Sequence, residues 1–72
     1  MVPSPTVNFE LNGERRQAEA PLSVCSLLEQ QGLARRRVAV AINTRVVPRS
    51  RFTSVQVREG DRVEVIQAVG GG

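Results

Sequence analysis

The sequence predicts a small α+β domain in which one helix lies across one face of a mixed β-sheet. The length of 72 residues suits a single domain. Apolar and polar residues alternate in several short segments, as in half-buried strands, and only one segment has helical spacing. Because a helix of about two turns is not stable alone in water, it has to pack against the sheet.

The first part of the chain predicts a β-hairpin. Val7–Leu11 alternates between apolar and polar residues, and Asn12-Gly13 is a strong signal for a two-residue hairpin turn. Glu14–Ala20 would return antiparallel with its alanines on the inner face, and Pro21 would end this strand.

A short helix is predicted after the hairpin. Ser23 is a suitable N-cap, because its hydroxyl can accept a hydrogen bond from a free backbone N–H of the first turn. Val24, Leu27 and Leu28 then fall on one helical face, and Gly32 provides the stop.

The second half of the chain predicts the remaining strands and a core anchor. The strand-like segments are Val38–Ile42, Arg45–Val47, a short alternation at Val55 and Val57, and the final Arg62–Val69. Asn43-Thr44 makes a turn, Pro48 to Phe52 is expected to be irregular, and Phe52 is expected to reach the core. One helix across a small mixed sheet, with a long final strand, is the β-grasp or ubiquitin-like arrangement.

The two ends of the chain are expected to lie outside the domain. Pro3 and Pro5 disfavour regular structure, so residues 1–6 are predicted to be a disordered extension. The β-grasp domain is predicted over residues 7–69, followed by a flexible glycine tail over residues 70–72.

The charge of the chain is +3 with a sequence pI near 11.1, and every basic residue is an arginine. Apart from Arg35–Arg37, the arginines are scattered along the sequence. Phe9 and Phe52 are the only aromatic residues, too few for a platform on which bases stack. We therefore interpret the charge as a solvated surface and do not expect nucleic-acid binding.

The composition removes most kinds of catalysis. There is no histidine and one cysteine, so the chain can form neither a Ser/Cys–His triad, nor a zinc cluster, nor an internal disulfide. We predict no enzymatic activity and no metal or cofactor bound by this chain. Cys25 is interpreted as a small core or half-buried residue next to Val24, and a reactive thiol near the helix N-terminus is the less favoured alternative. The sequence shows neither the pattern of a signal peptide nor an apolar run of membrane-spanning length, which favours the cytoplasm.

The last three residues, Gly70, Gly71 and Gly72, form the segment that predicts function most directly. Glycine has no Cβ, so three in succession can enter a narrow channel. A carboxylate resists nucleophilic attack until adenylation replaces its charge with a leaving group. The Gly72 carboxylate is therefore the candidate reactive group.

A second candidate is an apolar surface for partner docking. On the final strand, Ile66 and Ala68 alternate with the core-facing valines, and Ala39 and Ala41 point outward on their own strand. A flat apolar patch on the sheet face away from the helix would suit docking. Ordinary scattered apolar surface is an equally good interpretation of the sequence.

These segments carry a family likeness. The matching stretches are Val38–Asn43, Val46–Arg49, Gly60–Ile66 and the end Val69–Gly72. Over residues 7–72 the chain resembles the ThiS family, the sulfur carriers of thiamine biosynthesis.

The resemblance implies a mechanism and a set of partners. An adenylating enzyme (ThiF) would use ATP, with its metal, to form an acyl-adenylate at Gly72. A cysteine desulfurase or another donor would supply sulfur to form a thiocarboxylate, and thiazole synthase (ThiG) would take that sulfur into the thiazole ring. Gly70 and Gly71 would provide the slender approach, and the chain would be a co-substrate.

Several other functions remain open. The small subunit of molybdopterin synthase has the same fold and a Gly-Gly end, although it usually has aromatic and proline residues where this chain has Gln67–Val69. A carrier for tRNA thiolation or protein tagging is a further alternative. A small basic RNA-binding or scaffolding module would make the terminal glycines dispensable.

Overall fold

The structure is a computed structural model that describes residues 5–67. Its elements are β1 (Thr6–Leu11), β2 (Glu14–Glu19), β3 (Leu22–Ser23), α1 (Val24–Gln30), β4 (Val38–Ile42), β5 (Arg45–Val47), a 3₁₀ turn (Arg49–Arg51), β6 (Gln56–Val57) and β7 (Arg62–Gln67). Residues 1–4 and 68–72 lie outside the described part, and with them the end of the predicted final strand and the glycine tail.

Five strands form one mixed sheet in the order β2-β1-β7-β4-β5. β1 and β7 pair in parallel, while β1–β2, β7–β4 and β4–β5 pair antiparallel. The predicted α+β class, with one helix and a small mixed sheet, is confirmed. β3 and β6 form a separate two-stranded ribbon that the alternation pattern did not reveal as a pair.

The hairpin between β1 and β2 has the predicted turn. Asn12 and Gly13 have φ angles of 51° and 84°, the left-handed backbone that a two-residue hairpin turn requires. The register places Val7 opposite Ala18, so an alanine does face the core side of β2.

Strand β1 starts one residue before Val7, the first residue of the predicted strand. β1 begins at Thr6, which pairs with Glu19. The carbonyl of Pro5 accepts a hydrogen bond from the Ala20 amide at 3.0 Å. A proline can take this place because its carbonyl is still free to accept, although it has no N–H to donate.

Helix α1 begins and ends as predicted. The Ser23 hydroxyl accepts from the Ser26 amide at 3.0 Å, which satisfies one free donor of the first turn. Gly32 has a φ of +74° just beyond the helix, and the Leu33 amide reaches back to the Leu28 carbonyl at 2.8 Å. The apolar face predicted for this helix is buried: Val24, Leu27 and Leu28.

The core lies between α1 and the inner face of the sheet, and the buried residues within the described range are all apolar. The buried set is Val7, Phe9, Leu11, Leu22, Val24, Leu27, Leu28, Val40, Val47, Val57 and Val63. Phe52 is half-buried and packs against this set, as expected. Leu22 is 1% exposed and was missed, because it lies in a two-residue strand that is too short to show a period.

Candidate functional site

The strand that leads to the terminal glycines lies in the middle of the sheet. β7 is flanked by β1 on one side and β4 on the other. Its pairing with β1 covers only Glu10↔Arg62 and Leu11↔Val63, whereas its pairing with β4 continues to Val38↔Gln67. The last described residue, Gln67, is therefore still held by the sheet, beside the start of β4.

The Asn12 side chain extends the β1 side of this pairing. Its backbone amide donates to the Val63 carbonyl at 2.9 Å. Its Oδ1 accepts from the Val65 amide at 2.9 Å, and its Nδ2 donates to the Val65 carbonyl at 3.3 Å. An amide side chain offers the same donor and acceptor as a peptide group, so Asn12 takes the place of the strand residue that β1 lacks here.

Asn43 secures the beginning of β7 from the other side. With a φ of 51°, it donates its backbone amide to the Arg62 carbonyl at 2.8 Å. Its Oδ1 accepts from the Arg62 amide at 2.9 Å, and its Nδ2 donates to Asp61 Oδ1 at 3.0 Å. The sequence identified both asparagines as turn residues only; their bonds to β7 join residues distant along the chain.

The sheet face away from the helix carries an apolar patch next to the end of β7. The register pairs Ala39 with Ile66, and Ala41 with Val46. Ile66 is 64% exposed and Val46 is 75% exposed, while Ala39 is exposed and Ala41 half-buried. We call these four residues the outer apolar patch.

Three of the four residues predicted for a docking surface belong to this patch: Ala39, Ala41 and Ile66. Ala68, the fourth, lies outside the described residues. Val46 was not predicted, although its alternation with the buried Val47 was a usable signal.

The other half of the same sheet face is polar. Glu10 forms an ion pair with Arg62, with 3.5 Å between Oε2 and Nε. Gln17 Nε2 donates to Asn8 Oδ1 at 3.1 Å. The apolar part of the face is thus confined to β4, β5 and the end of β7, next to the last described residue.

The metal-binding and thiol chemistry of residues 5–67 is limited. Within this range no three His, Cys, Asp or Glu side chains are placed to hold a metal ion. Cys25 is half-buried on α1, and its thiol donates to Glu29 Oε1 across 3.8 Å. The helical segments of this range are all too short or too polar to cross a bilayer. Gly70, Gly71 and Gly72 lie outside the described residues.

Known proteins resemble this chain over nearly its whole length. The model of the ThiS family matches residues 5–72. The sulfur carrier protein ThiS of Escherichia coli is 34% identical over 61 residues, covering 85% of this chain and 92% of the relative. A thiazole synthase of Paramagnetospirillum magneticum is 40% identical over 62 residues, covering 86% of this chain but 19% of the relative.

The fold resembles a solved structure of the same family. The crystal structure of a thiamine biosynthesis protein (ThiS) from Geobacter metallireducens superimposes with a TM-score of 0.77 at 32% identity, covering 92% of this chain and all of that one. The chain spans about a fifth of the thiazole synthases that it matches, one from Paramagnetospirillum magneticum and one from Magnetococcus marinus. The sequence match, the mixed sheet with one helix and the superposition agree: this chain belongs to the ThiS family and has its β-grasp fold.

Proposed function

We propose that this protein is a sulfur carrier of thiamine biosynthesis whose Gly72 carboxylate is adenylated and then converted to a thiocarboxylate. The observation that carries the proposal is the family match, which extends through the three glycines to Gly72. The similarity to a protein named sulfur carrier supports the same role.

The chemistry takes place at the carbonyl carbon of Gly72. A carboxylate oxygen attacks the α-phosphorus of ATP, pyrophosphate leaves, and an acyl-adenylate results. Hydrosulfide then attacks the carbonyl carbon and AMP leaves with its oxygen, so that one oxygen is replaced by sulfur. Where the donor is a protein persulfide, the attack forms an acyl disulfide, and a thiol reductant has to cleave its S–S bond to release the thiocarboxylate. Gly70 and Gly71 admit this end to a narrow active site, because they carry no side chains.

In this proposal the chain is a co-substrate, and ATP and its metal are bound by the adenylating enzyme. The sequence contains no histidine to act as a general base, and the described carboxylates form no cluster. The domain then has two tasks, to hold the start of the tail and to be recognised. The asparagine bonds to β7 serve the first task.

The outer apolar patch is proposed to serve recognition. Ile66 lies on the same strand that leads to the tail, so an enzyme that binds Gly72 is brought close to this face. Burying an exposed isoleucine and its neighbours from water favours association. The patch is small, which suits a carrier that has to leave one enzyme for the next.

Thiazole synthase is proposed as the enzyme that receives the sulfur. Proteins with this name contain a stretch similar to this chain over about a fifth of their length. Fusion of two domains in one chain is consistent with their working together, and it supports a pairing of this carrier with a thiazole synthase. A cysteine desulfurase or another sulfur donor would act before that step, and the cytoplasm would house the pathway.

The test is intact-protein mass spectrometry after incubation with ATP, the adenylating enzyme and a sulfur donor. We expect one oxygen of the chain to be replaced by sulfur, and no such change when Gly72 is deleted. Deleting Met1–Ser4 provides a matched truncation at the other end, and it should leave the reaction intact. The E. coli relative serves as the positive control for an active enzyme.

Two outcomes would contradict parts of the proposal. If the E. coli relative acquires sulfur and this chain does not, the carrier function is wrong. If the thiocarboxylate forms but thiazole synthase leaves it unchanged, the carrier function stands and the thiazole destination is wrong.

A further inference from the structure

The charges of this chain are separated along the sequence. Seven of the ten arginines lie between Glu29 and Glu59, and no Asp or Glu occurs inside that segment. The acidic residues all lie at or outside its two ends. The sequence had suggested arginines that are scattered apart from one run, but the fold groups them further.

Four exposed arginines surround one shallow depression beside the loop that joins α1 to β4. They are Arg35, Arg36, Arg37 and Arg49, which we call the arginine patch, and Leu28 and Phe52 form part of the floor. A neighbouring depression is lined by Arg37 and Arg49 together with Val38, Ala39 and Ile66. The arginine patch and the outer apolar patch therefore share a border.

The positive charge of the arginine patch is not neutralised within residues 5–67. The ion pairs of this part of the chain join Arg16 to Glu14 and Arg62 to Glu10, on the β1–β2 side of the sheet. The Debye length at physiological ionic strength is about 8 Å, so neighbouring arginines of one depression act together on an approaching charge. The patch is thus a surface that attracts anionic groups.

The arginine patch also lies beside the last described residue of β7. Gln67 pairs with Val38, the residue that follows Arg37. Gly72 is five residues further along the sequence, which chain geometry limits to about 18 Å from Gln67. An enzyme whose active site holds Gly72 has to place some of its surface near the patch.

We propose that the arginine patch binds a carboxylate-rich surface on the adenylating enzyme, and that this contact speeds and orients the docking of the tail. This inference rests on the proposed function. The partner's chemistry follows from the guanidinium groups, which pair with carboxylates through two parallel hydrogen bonds. An apolar patch bordered by exposed arginines is also the usual arrangement of a protein–protein interface.

Nucleic acid is the competing anionic partner, and the structure favours it less. Single-stranded binding relies on aromatic side chains on which bases stack. Phe9 is buried in the core and Phe52 is half-buried against it, so neither ring is free for stacking. The border with Ile66 and Ala39 instead offers apolar contact suited to a protein.

The experiment compares two double variants with the same net charge. Arg37→Glu/Arg49→Glu reverses the two arginines on the shared border. Arg15→Glu/Arg58→Glu is the matched control, with exposed arginines outside the patch, on β2 and after β6. Each variant lowers the net charge by four units from +3. The rate of acyl-adenylate formation is measured against carrier concentration at low, physiological and high salt.

The patch variant should lower kcat/KM about tenfold at low salt, since several surface charges each contribute modestly to encounter. The effect should lie in KM and fade at high salt, while kcat at saturation stays as in the wild type. The control should remain within about twofold of the wild type. Equal losses in both variants would overturn the proposal, because they would report net charge alone.

Binding to RNA is measured in parallel, by the fluorescence anisotropy of a labelled single-stranded oligouridine at low salt. We expect no binding that depends on the arginine patch. If the patch variant loses RNA binding and keeps its kcat/KM, the patch serves nucleic acid and the proposal is wrong. If the wild-type chain is not adenylated at all, the carrier function is wrong and this inference fails with it. If the wild-type chain is adenylated and the patch variant has the same kinetics, only the inference is refuted.

Discussion

Replacing Asn12 by glycine tests how β7 is held in front of the tail. Glycine keeps the left-handed backbone of the turn, where Asn12 has a φ of 51°, so the hairpin can still form. The substitution removes only the amide side chain, and with it the two bonds to the Val65 amide and carbonyl at 2.9 and 3.3 Å. The change therefore isolates the side-chain contacts from the turn geometry.

The expected cost follows from those two bonds. A hydrogen bond contributes about 0.5–1.5 kcal/mol net to stability, and the exposed position of Asn12 lets water replace part of what is lost. We expect Asn12→Gly to lower the free energy of unfolding by about 1–2 kcal/mol. For a domain of this size, that lowers the melting temperature by about 4–16 °C.

Urea unfolding measures the global effect, and amide hydrogen exchange measures the local one. The Val65 amide should exchange faster in Asn12→Gly, since its acceptor is gone. Thr44→Gly is the matched control in the other turn, because Thr44 has a φ of 71° and its hydroxyl bonds only to the neighbouring Asn43 carbonyl. A β-branched residue is strained there, so the control should be neutral or stabilising by up to about 1 kcal/mol.

The reasoning would be refuted by a specific result. If Asn12→Gly unfolds at the urea concentration of the wild type and Val65 keeps its protection, the side-chain bonds add nothing to the pairing of β7. A loss of the same size in Thr44→Gly would attribute the effect to turn flexibility instead.

Three further predictions concern the docking surface, the core and the cysteine. Ile66 is 64% exposed, and burying a whole isoleucine side chain is worth about 1.5–3 kcal/mol. Ile66→Asp should therefore weaken binding to the adenylating enzyme about 5–30-fold in a titration. An equal loss of affinity in Gln17→Asp, on the polar half of the same face, would contradict this prediction. Leu27→Ala should cost about 2–5 kcal/mol in urea unfolding, because Leu27 is 1% exposed, whereas exposed Gln30→Ala should change stability by less than about 0.5 kcal/mol. Cys25→Ser should leave sulfur incorporation at Gly72 unchanged by mass spectrometry, and a loss of sulfur would give the thiol a role in transfer.

Local chemistry made much of the fold predictable. The Asn12-Gly13 turn, the Ser23 cap and the alternation of Val38–Ile42 depend on near neighbours in sequence, so their signals survive in a single chain. The β3–β6 ribbon was predictable only in part: Val55 and Val57 alternate as in a strand, but Leu22–Ser23 is too short to show a period. Its pairing of Leu22 with Val57 joins residues 35 positions apart, which no local pattern indicates.

The parts of the site that the sequence did not reveal are long-range contacts. Asn12 and Val65 are 53 positions apart, and a turn motif indicates backbone shape without indicating what the side chain binds. The arginine patch also depends on contacts between residues distant in sequence. Arg49 lies near Arg35–Arg37 only because β4 and β5 pair antiparallel. The direction of Ile66, in contrast, followed from the two-residue period of a strand.

Three features lie along the second half of β7: the Asn12 side-chain bonds to Val65, the outer apolar patch and the arginine patch. Their coincidence has a physical reason if the tail is the cargo site. A carrier has to present its tail from a fixed point, and Asn12 holds β7 as far as Val65, two residues before the last described one. It also has to be released after each transfer. Release favours a small apolar contact, with an encounter rate raised by charge, rather than a large buried interface. Substitutions in the arginine patch should then lower the association rate constant with the enzyme, and Ile66→Asp should raise the dissociation rate constant. The two kinds of substitution are thus expected to affect different rate constants of one binding event.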